Sequence, residues 1–429
     1  MTVRRSTTRK PNVERAALLT LITRANRASD PETALDELAG LVTAAGAQVV
    51  LRAMQERATP DPATVFGKGK AEEIAEACRQ AEVDVVVIDH TLSPAQARNL
   101  ERVFGRRVID RTELILDIFA MRARTREGKL QVELAQLQYL LPRLVGSSEA
   151  LSRLGGGIGT RGPGETKLET DRRRIRHRIS VLKRDIAEVS GRRGYLRTRR
   201  KRGDVPTVAL VGYTNAGKSS LFNLLTGDDA VVSDALFVTL DPLVRRMRLP
   251  DARHIMIADT VGFIDRLPHS LVAAFRATLE EVIDADLLLH VVDVSADDRD
   301  RRDKAVREVL TEIGASQVPM LEVYNKCDRL EVRDRDRLAA SSANAVCVSA
   351  TKKQGIRELL ELVTSRLAMD TESAQFDLDY TNDRDRQFLA DVHRHGRVTS
   401  QVSMGDRVTV RAEVPRQWLE RTGRLRAST

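Results

Sequence analysis

The chain has 429 residues, a net charge of +9 and a pI near 9.7, and a length of this order predicts roughly two to four domains. No apolar run approaches the ~20 residues of a membrane span, and no apolar core follows the Arg-rich start, so we expect a cytoplasmic protein without a membrane span or signal peptide. Cys78, Cys327 and Cys347 are widely spaced, which argues against a disulfide framework or a zinc site.

The predicted N-terminal domain covers residues 1–203, and its first 15 residues are polar, basic and expected to be disordered. A βαβ-type sheet unit is predicted at about 45–125. Its strands are expected at 47–51, 83–89 and 107–110. Its helices are expected over 71–80 and from Ser93 onward, where a capping serine precedes a proline in the first helical position.

A helical hairpin is predicted next, at about 128–200. Apolar residues recur at spacings of three and four in two segments that flank a glycine-rich stretch at 146–164. We expect two antiparallel helices with the glycine-rich stretch at the tip, because so many glycines disfavour a helix. Pro142 should kink or end the first helix.

A doubly wound, mainly parallel α/β domain is predicted at 204–370, because strands at 207–211, 254–258, 287–292, 320–324 and 346–348 alternate with helical segments. A small α+β domain is predicted at 371–429. Its expected elements are a strand at 376–380, a helix at 385–395, a hairpin turning at 404–406 and a segment at 417–425.

Positive charge is concentrated between residues 172 and 202, where the sequence contains fourteen Lys or Arg and only two acidic residues, Asp185 and Glu188. Such density favours neutralisation of nucleic-acid phosphates over a merely solvated surface. Aromatic residues are only 3% of the chain, so recognition of backbone and shape is expected rather than base stacking.

A phosphate-binding loop is predicted at 212–219, where GYTNAGKS fills every position of GxxxxGKS/T between a strand and a helix. Backbone N–H groups would cradle phosphates, Lys218 would bridge the β- and γ-phosphates, and Ser219 would bind Mg²⁺. The predicted nucleotide-binding residues here are Gly212, Tyr213, Thr214, Asn215, Ala216, Gly217, Lys218, Ser219 and Ser220.

Two further segments are expected to respond to the γ-phosphate. In 259–262 (Asp259, Thr260, Val261, Gly262), the carboxylate would hold Mg²⁺ through water, and the Gly262 amide would meet the γ-phosphate. In 237–239 (Phe237, Val238, Thr239), the threonine hydroxyl is the predicted second protein ligand of Mg²⁺, although an ordinary turn threonine is the alternative interpretation. Lys218, Thr239 and Gly262 form the predicted catalytic set.

Guanine specificity is predicted from Asn325, Lys326 and Asp328, which follow a strand, and from Ser349 and Ala350, which follow the next. A carboxylate can accept hydrogen bonds from both N1–H and the 2-amino group of guanine, a donor pair that adenine lacks. The ordered set of motifs therefore predicts a GTP-binding and GTP-hydrolysing domain.

Phe263 stands where related enzymes often carry a glutamine that orients the attacking water. Slow intrinsic hydrolysis is expected, with a partner or another residue completing the site, and Phe263 would also pack against its own segment. As a hypothesis, the Asn215 side-chain carbonyl binds K⁺ and supplies the missing charge.

These motifs, together with RLGGGIGTRGPGET at 153–166 and LETDRRRI at 168–175, resemble the HflX family of ribosome-associated GTPases. The resemblance is strong over about 45–370 and loose in the C-terminal domain. It implies binding of the 50S subunit, splitting of stalled or idle 70S ribosomes in the GTP state, contact with ribosomal RNA, and, we expect, a monomer when free. The candidate RNA-binding residues are Arg153, Arg161, Lys167, Arg172, Arg173 and Arg174.

Several positions depart from the family pattern: Lys167 replaces a usual glutamine, Ser220 a threonine, and Leu243-Val244 a Thr-Thr pair, while Cys327 lies within the guanine motif. The Leu243-Val244 change leaves the behaviour of the Thr239 segment open. Residues 66–70 (FGKGK) also resemble the family, in which some members use ATP through this domain. A helix-capping turn is the alternative interpretation of that stretch.

Four functional hypotheses follow. The first is a GTP-controlled factor that splits ribosomes. The second is a factor that occupies idle ribosomes, with nucleotide only stabilising its fold. The third is a ribosome-assembly GTPase, and the fourth is an ATP-dependent RNA remodeller that uses residues 67–70.

Overall fold

The computed structural model describes residues 13–23, 31–144, 163–202, 205–228, 235–251, 253–265, 276–340, 343–367, 371–415, 418–419 and 422. The chain divides into two compact units. The first contains the described residues up to Ala187 together with Ala235–Phe237, and the second contains the remaining described residues from Glu188 onward. No helix in these ranges is long and apolar enough to cross a membrane.

A parallel sheet in the order β2-β1-β3-β4 forms the centre of the first unit. Residues of β1 and β3 are almost all buried, which explains their continuous apolar sequences. The strands are β1 Arg15–Ile22, β2 Gln48–Glu56, β3 Val85–Ile88 and β4 Arg107–Asp110, and the helices are α1 Pro31–Ala44, α2 Lys68–Gln80, α3 Pro94–Phe104 and α4 Arg111–Arg122. The three predicted strands and both predicted helices are confirmed, whereas β1, α1 and α4 were not predicted.

Two longer helices follow, α5 Arg126–Arg143 and α6 Pro163–Arg202. As predicted from Pro142, α5 ends one residue after the proline. Arg178 of α6 donates two hydrogen bonds to the Glu133 carboxylate of α5, at 2.6 and 2.7 Å. Residues 146–162 of the glycine-rich stretch, with Arg153 and Arg161, lie outside the described residues, so the hairpin connection stays a prediction. Pro163 and Gly164, which were predicted to belong to the non-helical tip, instead begin α6.

The second unit contains a six-stranded sheet in the order β10-β9-β8-β5-β7-β6. Every pair is parallel except β6 with β7, in which Leu243 is paired with Asp259. The strands are β5 Thr207–Val211, β6 Leu243–Arg248, β7 His254–Asp259, β8 Leu287–Asp293, β9 Met320–Asn325 and β10 Ala345–Cys347. The helices are α7 Lys218–Thr226, α8 Arg276–Ile283, α9 Arg299–Glu312, α10 Val332–Ala340 and α11 Ile356–Leu367. The doubly wound prediction is confirmed, and β6 was not predicted.

The C-terminal residues form an antiparallel sheet in the order β11-β13-β12, with a helix packed on it. The strands are β11 Thr371–Asp379, β12 Arg397–Met404 and β13 Arg407–Pro415, and the helix is α12 Asp383–His395. This confirms the predicted α+β elements and the hairpin at 404–406. Of the segment predicted at 417–425, only residues 418–419 and 422 are described, and the domain boundaries near 203 and 370 stay predictions.

Candidate nucleotide site

The candidate site lies at the carboxyl ends of the central strands of the six-stranded sheet. Asp259 is the last residue of β7 and is paired with Leu210 of β5, while Asp293 of β8 is paired with Asn325 of β9. The first turn between strand and helix follows Val211. In an open α/β sheet, this edge is where ligands bind, because the strand order reverses there.

The loop between β5 and α7 is held by Asn325, whose side-chain amide donates to the Ala216 carbonyl at 2.9 Å. This contact requires a glycine at position 217. A Cβ atom there would lie 2.1 Å from Asn325 Nδ2, and the φ of Gly217 is +93°. The guanine motif and the phosphate loop are therefore directly bonded to each other.

Lys218 is the first residue of α7, and its side chain is buried. Its ammonium donates to the carbonyls of Gly212 and Tyr213, at 3.1 and 2.8 Å. Burial lowers the pKa of Lys218 to about 8, although the Asp259 charge opposes that shift. A cation at a helix N-terminus, held by loop carbonyls, is suited to binding phosphate.

Three side-chain oxygens meet beside this lysine. Ser219 Oγ donates to Asp259 Oδ2 at 2.6 Å, Ser219 Oγ lies 2.9 Å from Thr239 Oγ1, and Thr239 Oγ1 donates to Asp259 Oδ2 at 3.2 Å. Asp259 is fully buried, which raises the pKa of its carboxyl group. Its other oxygen, Oδ1, has no hydrogen-bond partner among the described residues. This oxygen-rich cluster has the donor set that hard divalent cations prefer.

The segment after Asp259 is bonded to β5 and to the phosphate loop. Thr260 Oγ1 donates to the Leu210 carbonyl at 2.6 Å, and the next residue, Val261, is buried. Gly262 lies so close to the phosphate loop that a Cβ atom added to it would be 2.8 Å from Thr214 Cα. The structure thus places Gly262 directly against the phosphate loop.

Phe263 is buried, with only 1% of its surface exposed. Its backbone N–H donates to the Gly212 carbonyl at 3.1 Å, and its carbonyl accepts from the Thr214 N–H at 2.7 Å. The Tyr213 hydroxyl accepts from the Asp265 N–H at 2.8 Å. Phe263 is therefore buried with its main chain bonded to the phosphate loop, and its side chain has no polar group that could orient water.

Phe237 differs from the other predicted nucleotide-binding residues. It belongs to the first unit, where its ring packs edge to face on Phe119 with centroids 4.8 Å apart. It is buried and has a φ of +55°, which is unusual for a bulky residue. Its side chain is engaged in packing, while Val238, the next residue, is half-buried.

The guanine side of the site is organised around β9. Asn325 Oδ1 accepts from the Ala350 N–H at 3.1 Å, and the Lys326 ammonium donates to the Asn215 carbonyl at 3.0 Å. Asp328 is half-exposed, and a hydrogen bond from the Ser349 side chain lowers the pKa of its carboxyl group. The carboxylate is therefore ionised at neutral pH, the state in which it accepts from guanine.

Asp293 is a functional candidate that our sequence reasoning missed. Its carboxylate lies 2.7 Å from Lys326 Nζ and accepts from the Ser295 N–H and hydroxyl at 3.0 and 2.6 Å. The available signal was an acidic residue at the carboxyl end of a buried strand. Sequence alone did not show that it faces the lysine of the guanine motif.

Ser220 and the candidate RNA-binding residues complete the predicted set. Ser220 is the third residue of α7 and is half-buried. In α6, Arg173 and Arg174 are exposed and Arg172 is half-buried, with Arg174 3.6 Å from Asp171. Lys167 lies in the helical backbone of α6; its side chain is outside the described part.

A doubly wound sheet, a phosphate loop with a buried lysine, and an Asn-Lys-x-Asp element bonded to that loop define a P-loop GTPase. Family models match three parts of the chain: a GTP-binding GTPase N-terminal region at residues 32–120, a GTP-binding GTPase middle region at 122–200, and a 50S ribosome-binding GTPase at 207–326. The chain belongs to the HflX family of GTPases and hydrolyses GTP to GDP and phosphate.

Curated relatives cover most of the chain. It is 46% identical to GTPase HflX of Caldanaerobacter subterraneus subsp. tengcongensis, over 95% of this chain and 92% of the relative. It is 52% identical to GTPase HflX of Escherichia coli K12, over 78% of this chain and 79% of the relative. A solved GTP-binding protein from Sulfolobus solfataricus in complex with GDP is 26% identical, over 83% of this chain and 99% of that chain, with a TM-score of 0.43.

Proposed function

We propose that this GTPase binds the large (50S) ribosomal subunit in its GTP state and separates stalled or idle 70S ribosomes into subunits. The description of the family model at residues 207–326 as a 50S ribosome-binding GTPase supports the choice of partner. The observation that carries the proposal is the basic, exposed surface of α6, which suits a polyanionic partner.

The basic surface of α6 contains Arg173, Arg174 and Arg176, whose side chains are exposed. Arg178 differs, because the Glu133 carboxylate of α5 already binds it at 2.6 and 2.7 Å. Among the described residues, the one ion pair of Arg174 is with Asp171, at 3.6 Å, and exposed pairs of this kind contribute little. These arginines are therefore available for phosphate groups of ribosomal RNA. The proposed RNA contacts also include Arg172 and, beyond the described side chains, Arg153, Arg161 and Lys167.

The nucleotide site supplies the proposed switch. Thr239 contacts Ser219 and Asp259, and Gly262 lies against the phosphate loop. A γ-phosphate that bonds to both segments would favour one arrangement of them, and the partner would bind that arrangement more tightly. Hydrolysis would remove the γ-phosphate and release the protein. The proposed nucleotide-binding and catalytic residues are those predicted from the sequence, with Phe237 acting through its backbone.

Mg²⁺ is the proposed metal. Ser219 and Thr239 would bind it directly and Asp259 through water. Neighbouring ligands in a Mg²⁺ octahedron lie about 3.0 Å apart, and Ser219 Oγ and Thr239 Oγ1 are 2.9 Å apart. The unpartnered Asp259 Oδ1 offers a further acceptor to ligated water. When bound, the ion would neutralise negative charge on the β- and γ-phosphates.

K⁺ is proposed as an additional ion beside Asn215. This residue is exposed, and its backbone carbonyl already accepts from Lys326 at 3.0 Å, so its side-chain carbonyl is the group that would bind the ion. Equal GTPase rates in KCl and NaCl would rule this role out. We further propose that ribosomes stimulate hydrolysis and that the free protein is a monomer.

The deciding experiment is sedimentation of purified 70S ribosomes on a sucrose gradient with the protein plus GTP, a non-hydrolysable GTP analogue, GDP or ATP. Conversion to free subunits with GTP and with the analogue, but not with GDP or ATP, is expected. Intact 70S ribosomes in every lane would overturn the splitting function and favour an assembly or occupancy role.

Two variants sharpen this experiment. Lys218→Ala removes the buried phosphate-binding cation and should abolish splitting. Asp328→Asn should bind GTP poorly but accept XTP, because an amide can donate to the 2-oxo group of xanthine where a carboxylate cannot. Splitting restored by the XTP analogue in Asp328→Asn would show that nucleotide occupancy of this site, rather than the folded protein alone, drives the reaction.

A further inference from the structure

Thr214 lies in the middle of the phosphate loop and is buried, with 3% of its surface exposed. Its backbone N–H donates to the Phe263 carbonyl at 2.7 Å. Its hydroxyl oxygen is buried and has no hydrogen-bond partner among the described residues. A buried hydroxyl without a partner costs free energy, and such a group is commonly satisfied by a ligand or water at a functional site.

The neighbours of Thr214 indicate which end of the nucleotide lies nearest to this residue. A Cβ atom built on Gly262 would lie 2.8 Å from Thr214 Cα, 2.9 Å from Thr214 Cγ2 and 3.0 Å from Lys218 Nζ. The Thr214 side chain, the Gly262 backbone and the Lys218 ammonium therefore meet at one point. Lysine and glycine at these motif positions act on the γ-phosphate, so Thr214 lies at the γ-phosphate end of the loop.

This location matters because the side chain after Gly262 is Phe263, which is buried and carries no polar group. The water that attacks the γ-phosphate still needs a hydrogen-bond acceptor to hold it in line. A threonine hydroxyl can accept one hydrogen bond and donate another at the same time.

We propose that the Thr214 hydroxyl is a catalytic group: it keeps its proton, accepts a hydrogen bond from the attacking water and donates a hydrogen bond to a γ-phosphate oxygen. The water oxygen forms a bond to the γ-phosphorus, and the bond between that phosphorus and the β–γ bridging oxygen breaks. The electron pair leaves with GDP, and the water proton passes to the released phosphate. The inference rests on the GTPase activity of the chain and is independent of the ribosome proposal.

The test is single-turnover GTP hydrolysis by the full-length protein without ribosomes, comparing wild type with Thr214→Val and Thr214→Ser. Valine has the shape of threonine without the hydroxyl, whereas serine keeps the hydroxyl. We expect the hydrolysis rate to fall about 10- to 100-fold in Thr214→Val and to stay within about threefold of wild type in Thr214→Ser. The affinities for GDP and for a non-hydrolysable GTP analogue should change little in either variant.

Thr226→Val is the matched control, because it removes a partly buried hydroxyl that donates to the Phe222 carbonyl within α7, away from the phosphate loop. Its hydrolysis rate should equal that of wild type. An unchanged rate in Thr214→Val would overturn the proposal, and so would equal losses in Thr214→Val and Thr214→Ser. Parallel losses of rate and GDP affinity in Thr214→Val would instead assign Thr214 a packing role.

Discussion

Phe263 and Gly212 are joined main chain to main chain, because the Phe263 N–H donates to the Gly212 carbonyl at 3.1 Å. The Thr214 N–H returns a hydrogen bond to the Phe263 carbonyl at 2.7 Å. The main chains of the phosphate loop and of the segment after Asp259 are thus bonded directly to each other. Movement of Phe263 away from the loop must break these two hydrogen bonds. The conformation of the phosphate loop is therefore coupled to the position of the segment after Asp259.

Gly262→Ala should uncouple nucleotide binding from hydrolysis. The added methyl group would lie 2.8 Å from Thr214 Cα and 3.0 Å from Lys218 Nζ, so one of these groups must shift. A displacement of this size near the reacting atoms lowers the rate by about 100-fold, whereas GDP, which lacks the γ-phosphate, should still bind. Single-turnover hydrolysis and GDP affinity check this. Gly69→Ala is the control, because a Cβ atom there meets nothing within 4 Å; equal rates in both variants would contradict the prediction.

Nucleotide binding should be linked to protonation of Lys218. Its pKa is lowered to about 8 in the free protein, and phosphate charge raises the pKa of a nearby lysine. Binding above pH 8 therefore takes up a proton, and affinity falls as pH rises further. At pH 8.5 the uptake attributable to Lys218 should reach about 0.75 proton per nucleotide.

Calorimetry of GDP binding in two buffers of different ionisation enthalpy measures this uptake. Lys218→Arg is the comparison, since an arginine stays protonated throughout this pH range. The difference between the two proteins isolates the contribution of Lys218. Identical proton uptake in both would mean that Lys218 is fully charged before nucleotide arrives.

Asp293→Asn should weaken guanine-nucleotide binding although Asp293 belongs to no recognised motif. Its carboxylate holds Lys326 at 2.7 Å. Burial opposes its ionisation, but hydrogen bonds from Lys326 and Ser295 outweigh burial and lower its pKa. Losing one charge-assisted hydrogen bond should speed GDP dissociation about 10-fold.

A double-mutant cycle on GDP dissociation tests whether Asp293 acts through Lys326. In a Lys326→Met background, Asp293→Asn should have little further effect. Asp300→Asn is the control, because the Asp300 side chain is 94% exposed. If Asp293→Asn speeds GDP dissociation equally in both backgrounds, Asp293 acts independently of Lys326.

Replacing Arg172, Arg173 and Arg174 together by glutamine should weaken binding to the 50S subunit and reduce its salt dependence. The slope of log affinity against log salt should fall by roughly 0.7 to 0.9 for each phosphate group that the variant no longer neutralises. Co-sedimentation with 50S subunits at several KCl concentrations, in the presence of a GTP analogue, gives that slope. The control is a triple glutamine variant of three highly exposed residues: Lys304, Arg337 and Arg357, with side chains 79%, 83% and 86% exposed. An equal change of slope in the control would mean that the loss of net charge, rather than the location of the arginines, explains the effect.

The sequence predicted the nucleotide domain well because each motif follows a buried apolar strand. β5, β7, β8 and β9 begin at the predicted residues, and the observed ends lie within one residue of the predicted ends. β6 escaped prediction for a physical reason. It is an antiparallel edge strand with exposed Arg245 and Arg246, so it lacks the continuous apolar run of its neighbours.

The first unit was predicted less completely. The apolar run of β1 is too short for periodicity to separate a strand from a buried helix. Within the site, the main-chain bonds between Phe263, Gly212 and Thr214 leave no trace in residue identity, because any residue has a backbone N–H and carbonyl. The location of Phe237 against Phe119 likewise depends on tertiary packing.

The pairing of β6 with β7 limits how far the Thr239 hydroxyl can travel. Only residues 240–242 separate Thr239 from Leu243, which is paired with Asp259 at the site itself. A fully extended chain of that length reaches about 14 Å. While β6 stays in the sheet, Thr239 can move away from Ser219 but must remain within about 14 Å of Leu243. After nucleotide exchange, Thr239 therefore has only a short distance to move back to Ser219.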